Sequence, residues 1–345
     1  DFKMRKLLQK LLKRPVLWAS GYFAAAPRRD LVFKSLTGLL GSGGNLINKK
    51  LQVVEADLEQ AKFIIFSDQH KGNKSWADDF AGCEKNYVAA LSYYNQAGYH
   101  FINMGDSEEL WKFGIHEILP QNENAFLAEA AFQPGRYYKT FGNHDVLWKN
   151  PLDIALNLVK YFTMPLYAYE GILIKGETPG GPLSVFLTHG HQGDKMSDNN
   201  AVTTWLVSHL WMPLQRYLRI NINTPSNDHF LRNRHNQIMY EWSSQQENLI
   251  LITGHTHQPV FASGRYYQHK PSEFDAAQIP EHRDPTYYNT GCCCFSDGDI
   301  TGIEISGGKI RLVKWTHEEI NPERMILEEQ DLSIIMNDMK KKLPS

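Results

Sequence analysis

Five short apolar runs in this chain each end in a small cluster of Asp, Asn or His beside Gly. Lys62–Phe66 leads into Ser67-Asp68-Gln69-His70, residues 99–104 into Gly105-Asp106, and residues 137–141 into Gly142-Asn143-His144-Asp145. Residues 183–188 lead into His189-Gly190-His191, and residues 248–253 into Gly254-His255-Thr256-His257. Apolar runs of this length, bounded by Gly and polar residues, read as buried strands. Helical spacing lies between them over residues 84–97, which stop at Gly98, and over 122–131 and 152–162. Residues 167–175 read as a further strand, and residues 287–315 as β-rich, with turns at 297–299 and 307–308. Alternating strands and helices make an α/β protein. In such sheets ligands bind beyond the carboxyl ends of the strands, so the five polar clusters are expected to meet at one site.

The donors in these clusters are carboxylate oxygen, amide oxygen and imidazole nitrogen, with no thiolate. That set suits divalent Mn, Fe, Zn or Ni better than a thiolate zinc site or an all-oxygen calcium cage. Asp68 and His70 share one face of an extended chain and can reach one ion. His255 and His257, with the same spacing, can bind two adjacent ions. A carboxylate between two ions holds them roughly 3.5–4 Å apart, the spacing of two-metal phosphoryl-transfer sites.

In this order the blocks resemble the calcineurin-like metallophosphoesterase superfamily. Its pattern is Asp-x-His, Gly-Asp-x-x-Asp/Glu, Gly-Asn-His-Asp/Glu, a His, and Gly-His-x-His, and all five parts occur over about residues 62–260. The resemblance implies a four-layer α/β/β/α sandwich of two mixed β-sheets flanked by helices, with a dinuclear metal site at the sheet ends. It implies Asp68, His70 and His257 as ligands of a first ion. Asn143, His189 and His255 are implied as ligands of a second, and Asp106 as the bridge. His191 also lies in the fourth block; His189 is assigned because it directly follows the apolar run. Glu109 stands where the family more often has Asp and is implied to lie behind the ligands. Asn143 and His144 are implied to contact the phosphate, with His144 as the acid that protonates the leaving oxygen and Asp145 orienting its ring.

The function implied is a metal-dependent phosphatase or phosphodiesterase that uses a two-metal-activated hydroxide on a phosphorylated small molecule or lipid. The Gly105–Trp111 block and residues 189–194 are also similar to the branch containing UDP-2,3-diacylglucosamine pyrophosphatase. That gives an alternative, a lipid pyrophosphate hydrolase at a membrane surface. Against it stands His144, where that branch normally carries Arg. Some relatives keep the fold as non-catalytic scaffolds but usually lack ligands; here every position is filled.

The rest of the sequence sets boundaries. A hydrophobic share of 42% and a charged share of 21% exclude a disordered chain, a collagen or a coiled-coil rod. A net charge of −2 gives no basic excess for nucleic acid as the main partner. Four cysteines, Cys83 and the adjacent Cys292, Cys293 and Cys294, make neither a disulfide framework nor a zinc finger. They read as small apolar packing on a buried strand and fit a reducing, cytoplasmic setting.

Three segments are expected: a basic helical extension over residues 1–50, the phosphoesterase domain over 51–320 with a helical insertion at 196–246, and a helical tail over 321–345. The extension carries Lys3, Arg5, Lys6, Lys10, Lys13 and Arg14 around Leu7, Leu8, Leu11 and Leu12. It reads as a signal peptide, as an amphipathic segment on the inner face of an anionic membrane, or as a helix docked on the chain's own body. The insertion, with Trp205, Trp211, Trp242, Tyr217, Tyr240, Arg216, Arg219, Arg232 and Arg234, reads either as a cap that grips a phosphate or as a packed helical subdomain.

Overall fold

In the computed structural model, which describes residues 27–42, 50–193, 229–261, 285–316 and 321–340, the strands read from apolar runs are buried on both faces. Lys62–Phe66 (β2) shows why the run is unbroken: Phe63 and Ile65 enter one core layer, and Ile64 and Phe66 the other. Among the described residues one sheet has five strands, in the order β1 (Leu51–Glu55), β6 (Gly171–Thr178), β7 (Gly181–Thr188), β8 (Leu249–Thr253) and β9 (Tyr287–Asn289). The other has seven, in the order β12 (Glu323–Asp331), β11 (Lys309–Thr316), β10 (Ile300–Ser306), β2, β3 (His100–Met104), β4 (Tyr137–Thr140) and β5 (Ala168–Tyr169). Both are mixed. β2 to β5 run parallel beside antiparallel β10 to β12, and β6 and β7 are antiparallel between parallel neighbours.

The sheets bury their inner faces against each other through Ile65, Ile102, Ile172, Val185, Ile250 and Ile303. The outer face of the seven-stranded sheet is covered by helices α2 (Glu84–Gln96), α3 (Ile115–Gln121), α4 (Glu123–Ala130) and α5 (Pro151–Leu158), through Tyr87, Leu91, Ile118, Phe126 and Ile154. The outer face of the five-stranded sheet is covered by α1 (Arg29–Gly41) and α6 (His229–Ser243), through Val32, Leu36, Met239 and Trp242. A final helix, α7 (Leu332–Lys340), packs Leu332, Ile335 and Met336 into the layer between the sheets. The architecture is the four-layer α/β/β/α sandwich.

Several elements differ from the sequence reading. Residues 167–175 are not one strand: β5 belongs to one sheet and β6 to the other. The chain changes sheets where the amides of Glu170 and Gly171 both donate to the Lys50 carbonyl. The tail is not helical throughout, because residues 323–331 form β12 before α7 begins. Met, Leu and Glu there favour helix by composition. Pairing along the whole of β11 overrides it, with cross-strand ion pairs from Lys309 and Arg311 to Glu329. The cysteine triplet is not on a strand. β9 ends at Asn289, and Gly291 turns the chain at φ +77°, where an added Cβ would lie 2.1 Å from Thr301 Oγ1. Cys292 and Cys293 are buried, whereas Cys294 is partly exposed.

Of the N-terminal extension, the described helix α1 is docked on the chain's own body; residues 1–26, with most of the basic charge, lie outside the described residues. Of the insertion, Trp242 is buried and donates to Thr37 Oγ1 at 3.0 Å, so it closes a core rather than lining a pocket. Trp205, Trp211, Tyr217, Arg216 and Arg219 lie outside the described residues. No described helix is long and apolar enough to cross a membrane.

Candidate metal centre

The C-terminal ends of β2, β3 and β4 in one sheet and of β7 and β8 in the other bring the five polar clusters together. Asp68, His70, Asp106, His255 and His257 all have positive φ, between 49° and 67°. For non-glycine residues this region costs about 1–3 kcal/mol each and persists only where the surroundings enforce it. Here they do: Asp68 N donates to Gly105 O at 3.0 Å, His70 N to Asp106 O at 2.9 Å, and Gly254 N to His189 O at 2.9 Å. Each strand end is thereby curled so that its side chain points back into the shared space.

Ligand atoms of Asp68, His70 and His257 lie within 4.8 Å of one another, and so do those of Asp106, His189 and His255, of His70, Asp106 and His144, and of His257, Cys292 and Cys294. The first two groups hold six of the seven residues read from the sequence as ligands. Asp68 Oδ1 is 3.2 Å from His257 Nε2 and 3.9 Å from His70 Nε2. Asp106 Oδ2 is 3.1 Å from His189 Nε2, 3.8 Å from His70 Nε2 and 4.0 Å from His144 Nε2, so it stands between the sets. The His144 amide donates to Asp106 Oδ1 at 2.8 Å, which places Asn143 beside the same carboxylate. His189 is oriented by its other nitrogen, whose hydrogen is donated to the Met104 carbonyl at 3.1 Å. His191 is buried, with its ring 5.4 Å from that of His189, and is in neither set.

The donor set fits divalent cations. Asn143 Oδ1 is buried and has no hydrogen-bond partner among the described residues. Burial alone would raise the pKa of the carboxylates, but the facing bases reverse this. His189 and His257 bring Asp68 down to about 2, and His189 and His144 hold Asp106 well below the ordinary carboxylate range. The same pairing works on the rings: against burial, Asp106 and Asp68 lift His189 to about 9. Cations bound by neutral imidazole would take the place of those protons.

The residue that orients His144 is Glu109, not Asp145. Glu109 Oε1 lies 2.8 Å from His144 Nδ1 and Oε2 lies 3.1 Å from His70 Nδ1. Burial opposes charge on His144, but Glu109 and Asp106 outweigh it and raise its pKa. Asp145 turns the other way and accepts from the amides of Gly142 at 2.6 Å and Ser107 at 2.9 Å, pinning the two loops together.

Three further contacts were not read from the sequence. The Trp111 indole stacks on the His144 ring, with centroids 3.9 Å apart. Cys294 Sγ is 3.6 Å from His257 Nδ1. Beneath the site, Lys71, Glu108, Glu129 and Lys139 form a fully buried ionic cluster.

The chain matches the calcineurin-like phosphoesterase family over residues 61–259, more than half of its length. It belongs to that family. Similar solved structures include vacuolar protein sorting 29 from Cryptosporidium parvum, at 12% identity over 79% of this chain and 98% of that one, with a TM-score of 0.34. A dimetal phosphatase from Danio rerio is 8% identical over 78% of this chain and 99% of that one, with a TM-score of 0.38. The anchor in the inner membrane complex of Plasmodium is 12% identical over 83% and 95%, with a TM-score of 0.37. No curated protein sequence matches the chain.

Proposed function

We propose that this chain is a metal-dependent hydrolase of phosphate esters, with Asp68, His70 and His257 holding one divalent ion, Asn143, His189 and His255 a second, and Asp106 both. The observation that carries this reading is the place of Asp106, whose Oδ2 lies 3.8 Å from His70 of one set and 3.1 Å from His189 of the other. Two bound cations would supply Lewis-acid polarisation of the phosphoryl group and acidify a water. The Asn143 and His144 side chains bind the phosphoryl oxygens as charge develops on them. His144 Nε2 gives its proton to the leaving oxygen while Glu109 holds Nδ1.

The test is metal content together with hydrolysis of p-nitrophenyl phosphate and bis(p-nitrophenyl) phosphate. Two ions per chain are expected in the native protein, with loss of turnover and of at least one ion in Asp106→Asn. One ion at saturation, or near-native turnover in the variant, overturns the assignment. A second reading, a lipid pyrophosphate hydrolase in peripheral contact with a membrane, is favoured by one observation. Helix α5 and the residue that ends it turn Leu152, Leu156 and Val159 to solvent, at 70%, 77% and 68% exposure. Hydrolysis of a diacylated sugar pyrophosphate in anionic vesicles, with no turnover of either chromogenic ester, would favour that reading.

A further inference from the structure

His144 is the proposed catalytic side chain that lies outside both proposed ligand sets, so under that reading protein contacts alone set its direction. Its ring has two torsions to fix. Glu109 Oε1, 2.8 Å from Nδ1, fixes one end of the ring but leaves it free to swing about the line joining the two atoms. A swing about that line carries Nε2 out of the space beside Asp106 Oδ2, from which it is 4.0 Å distant. The Trp111 indole lies flat against the ring, at 3.9 Å between centroids and 21° between planes. His70 meets the ring edge-on, at 4.6 Å and 89°. The flat stack and the edge contact together oppose the rotation that the hydrogen bond permits.

Trp111 is itself fixed by the turn that carries Glu109. The amides of Lys112 and Phe113 donate to the Glu109 carbonyl at 3.2 and 3.1 Å. Lys112 Nζ lies 2.8 Å from Asp79 Oδ2 and 3.5 Å from Glu109 Oε2. One short segment therefore supplies both restraints, the carboxylate through Glu109 and the flat face through Trp111.

We propose that Trp111 is a positioning residue for His144, its stacked indole holding Nε2 toward the leaving oxygen. This rests on the reading of His144 as the proton donor. A misplacement of about 1 Å can cost roughly 100-fold in rate. Trp111→Ala should therefore lower kcat about 10- to 100-fold for esters with poor leaving groups, with KM nearly unchanged. The loss should be much smaller for p-nitrophenyl phosphate, whose departure needs little protonation. Trp111→Phe, which keeps a flat face, should restore most of the rate. Because the indole acts through the imidazole, Trp111→Ala should add little to the loss in His144→Ala.

The experiment measures the native chain, the three single variants and the Trp111→Ala/His144→Ala double variant on p-nitrophenyl and phenyl phosphates. In parallel it follows the imidazole resonances of His144 in the zinc-loaded, histidine-labelled chain, assigned by their absence in His144→Ala. The resonance should lose its indole ring-current shift and broaden in Trp111→Ala, and be sharp again in Trp111→Phe. A sharp His144 signal in Trp111→Ala overturns the proposal, and so does a rate loss that multiplies with that of His144→Ala. If His144→Ala costs nothing with poor leaving groups, the proton-donor reading fails instead, and the resonances alone decide whether Trp111 fixes the ring.

Discussion

Glu109 ties a proposed metal ligand to the proposed proton donor, because one oxygen faces His70 Nδ1 and the other His144 Nδ1. An amide in its place has the same shape but only one acceptor oxygen, so one of the two rings must turn or change tautomer. Carboxylate partners behind metal-bound histidines are worth about 10- to 100-fold in metal affinity. Glu109→Gln should weaken metal binding by that factor, and because His144 and Lys112 hold the buried Glu109 carboxyl well below the ordinary range, it should also lower the unfolding midpoint of the metal-free chain. Isothermal titration and a denaturant melt check the two halves, and unchanged affinity would contradict the role. At this scale the sequence revealed which residue types gather but not where each side chain points. Asp145 is adjacent to His144 in the chain, yet it faces the amides of Gly142 and Ser107; Glu109, 35 residues away, reaches the ring. The left-handed turns at Asp68, His70, Asp106, His255 and His257 are equally silent: Asp and His take that conformation more often than other non-glycine residues, but still too rarely for a sequence to mark where.

The elements that carry the site are strand ends pressed together, and two glycines make the approach possible. A Cβ on Gly142 would lie 2.1 Å from Asp106 Oδ1 and 2.7 Å from Asp106 N. One on Gly254 would lie 2.2 Å from Ser67 Oγ and 2.4 Å from Asp68 Oδ2. Gly142→Ala must therefore displace the Asp106 carboxylate, the proposed bridge, and Gly254→Ala that of Asp68, a proposed ligand. Each should cut turnover by roughly 100-fold or more through misplacement of a ligand, and each should lower the metal content of the purified chain. Gly82→Ala, whose Cβ would meet nothing closer than 3.9 Å, is the control and should match the native protein in both assays. Native metal content in Gly142→Ala would show that the strand ends can part without loss. The strands ending in these blocks were legible because burial on both faces demands an unbroken apolar run. β12 was not. It is an edge strand with no alternation of apolar and polar residues, Met325-Ile326-Leu327 running into Glu328-Glu329, and only its pairing with β11 distinguishes it from a helix.

Across the whole molecule, the two sheets meet the site above a layer of charge enclosed in apolar core. Lys71 and Lys139 lie with Glu108 and Glu129 at 0–1% exposure. Lys71 Nζ is 3.2 Å from Glu108 Oε1, and Lys139 Nζ is 3.2 Å from Glu108 Oε2. Burial would raise the pKa of Glu108, but Lys139 and Lys71 hold it down to about 2. A folded-state value below the unfolded one of about 4.3 gives stability that is present above that pH. The same stability is lost as pH falls toward 2. Asp145 goes the other way: burial, with Glu108 and Asp106 nearby, raises its pKa on balance, and Lys139 offsets only part of the rise. Lys139→Met leaves both carboxyls buried with one cation fewer, and removing one partner of such a group costs about 3–5 kcal/mol at neutral pH. The deficit should be largest where both carboxyls are ionised and should shrink as they protonate, so the native and Lys139→Met stability curves should converge as pH falls toward about 2, where Glu108 of the native protein protonates. Denaturant melts of the metal-free chains across that range make the comparison without contribution from metal release. A deficit constant with pH would mean that the lysine contributes packing rather than charge. Full recovery at neutral pH in Lys139→Met combined with Glu108→Gln would place the cost on the stranded carboxylate itself.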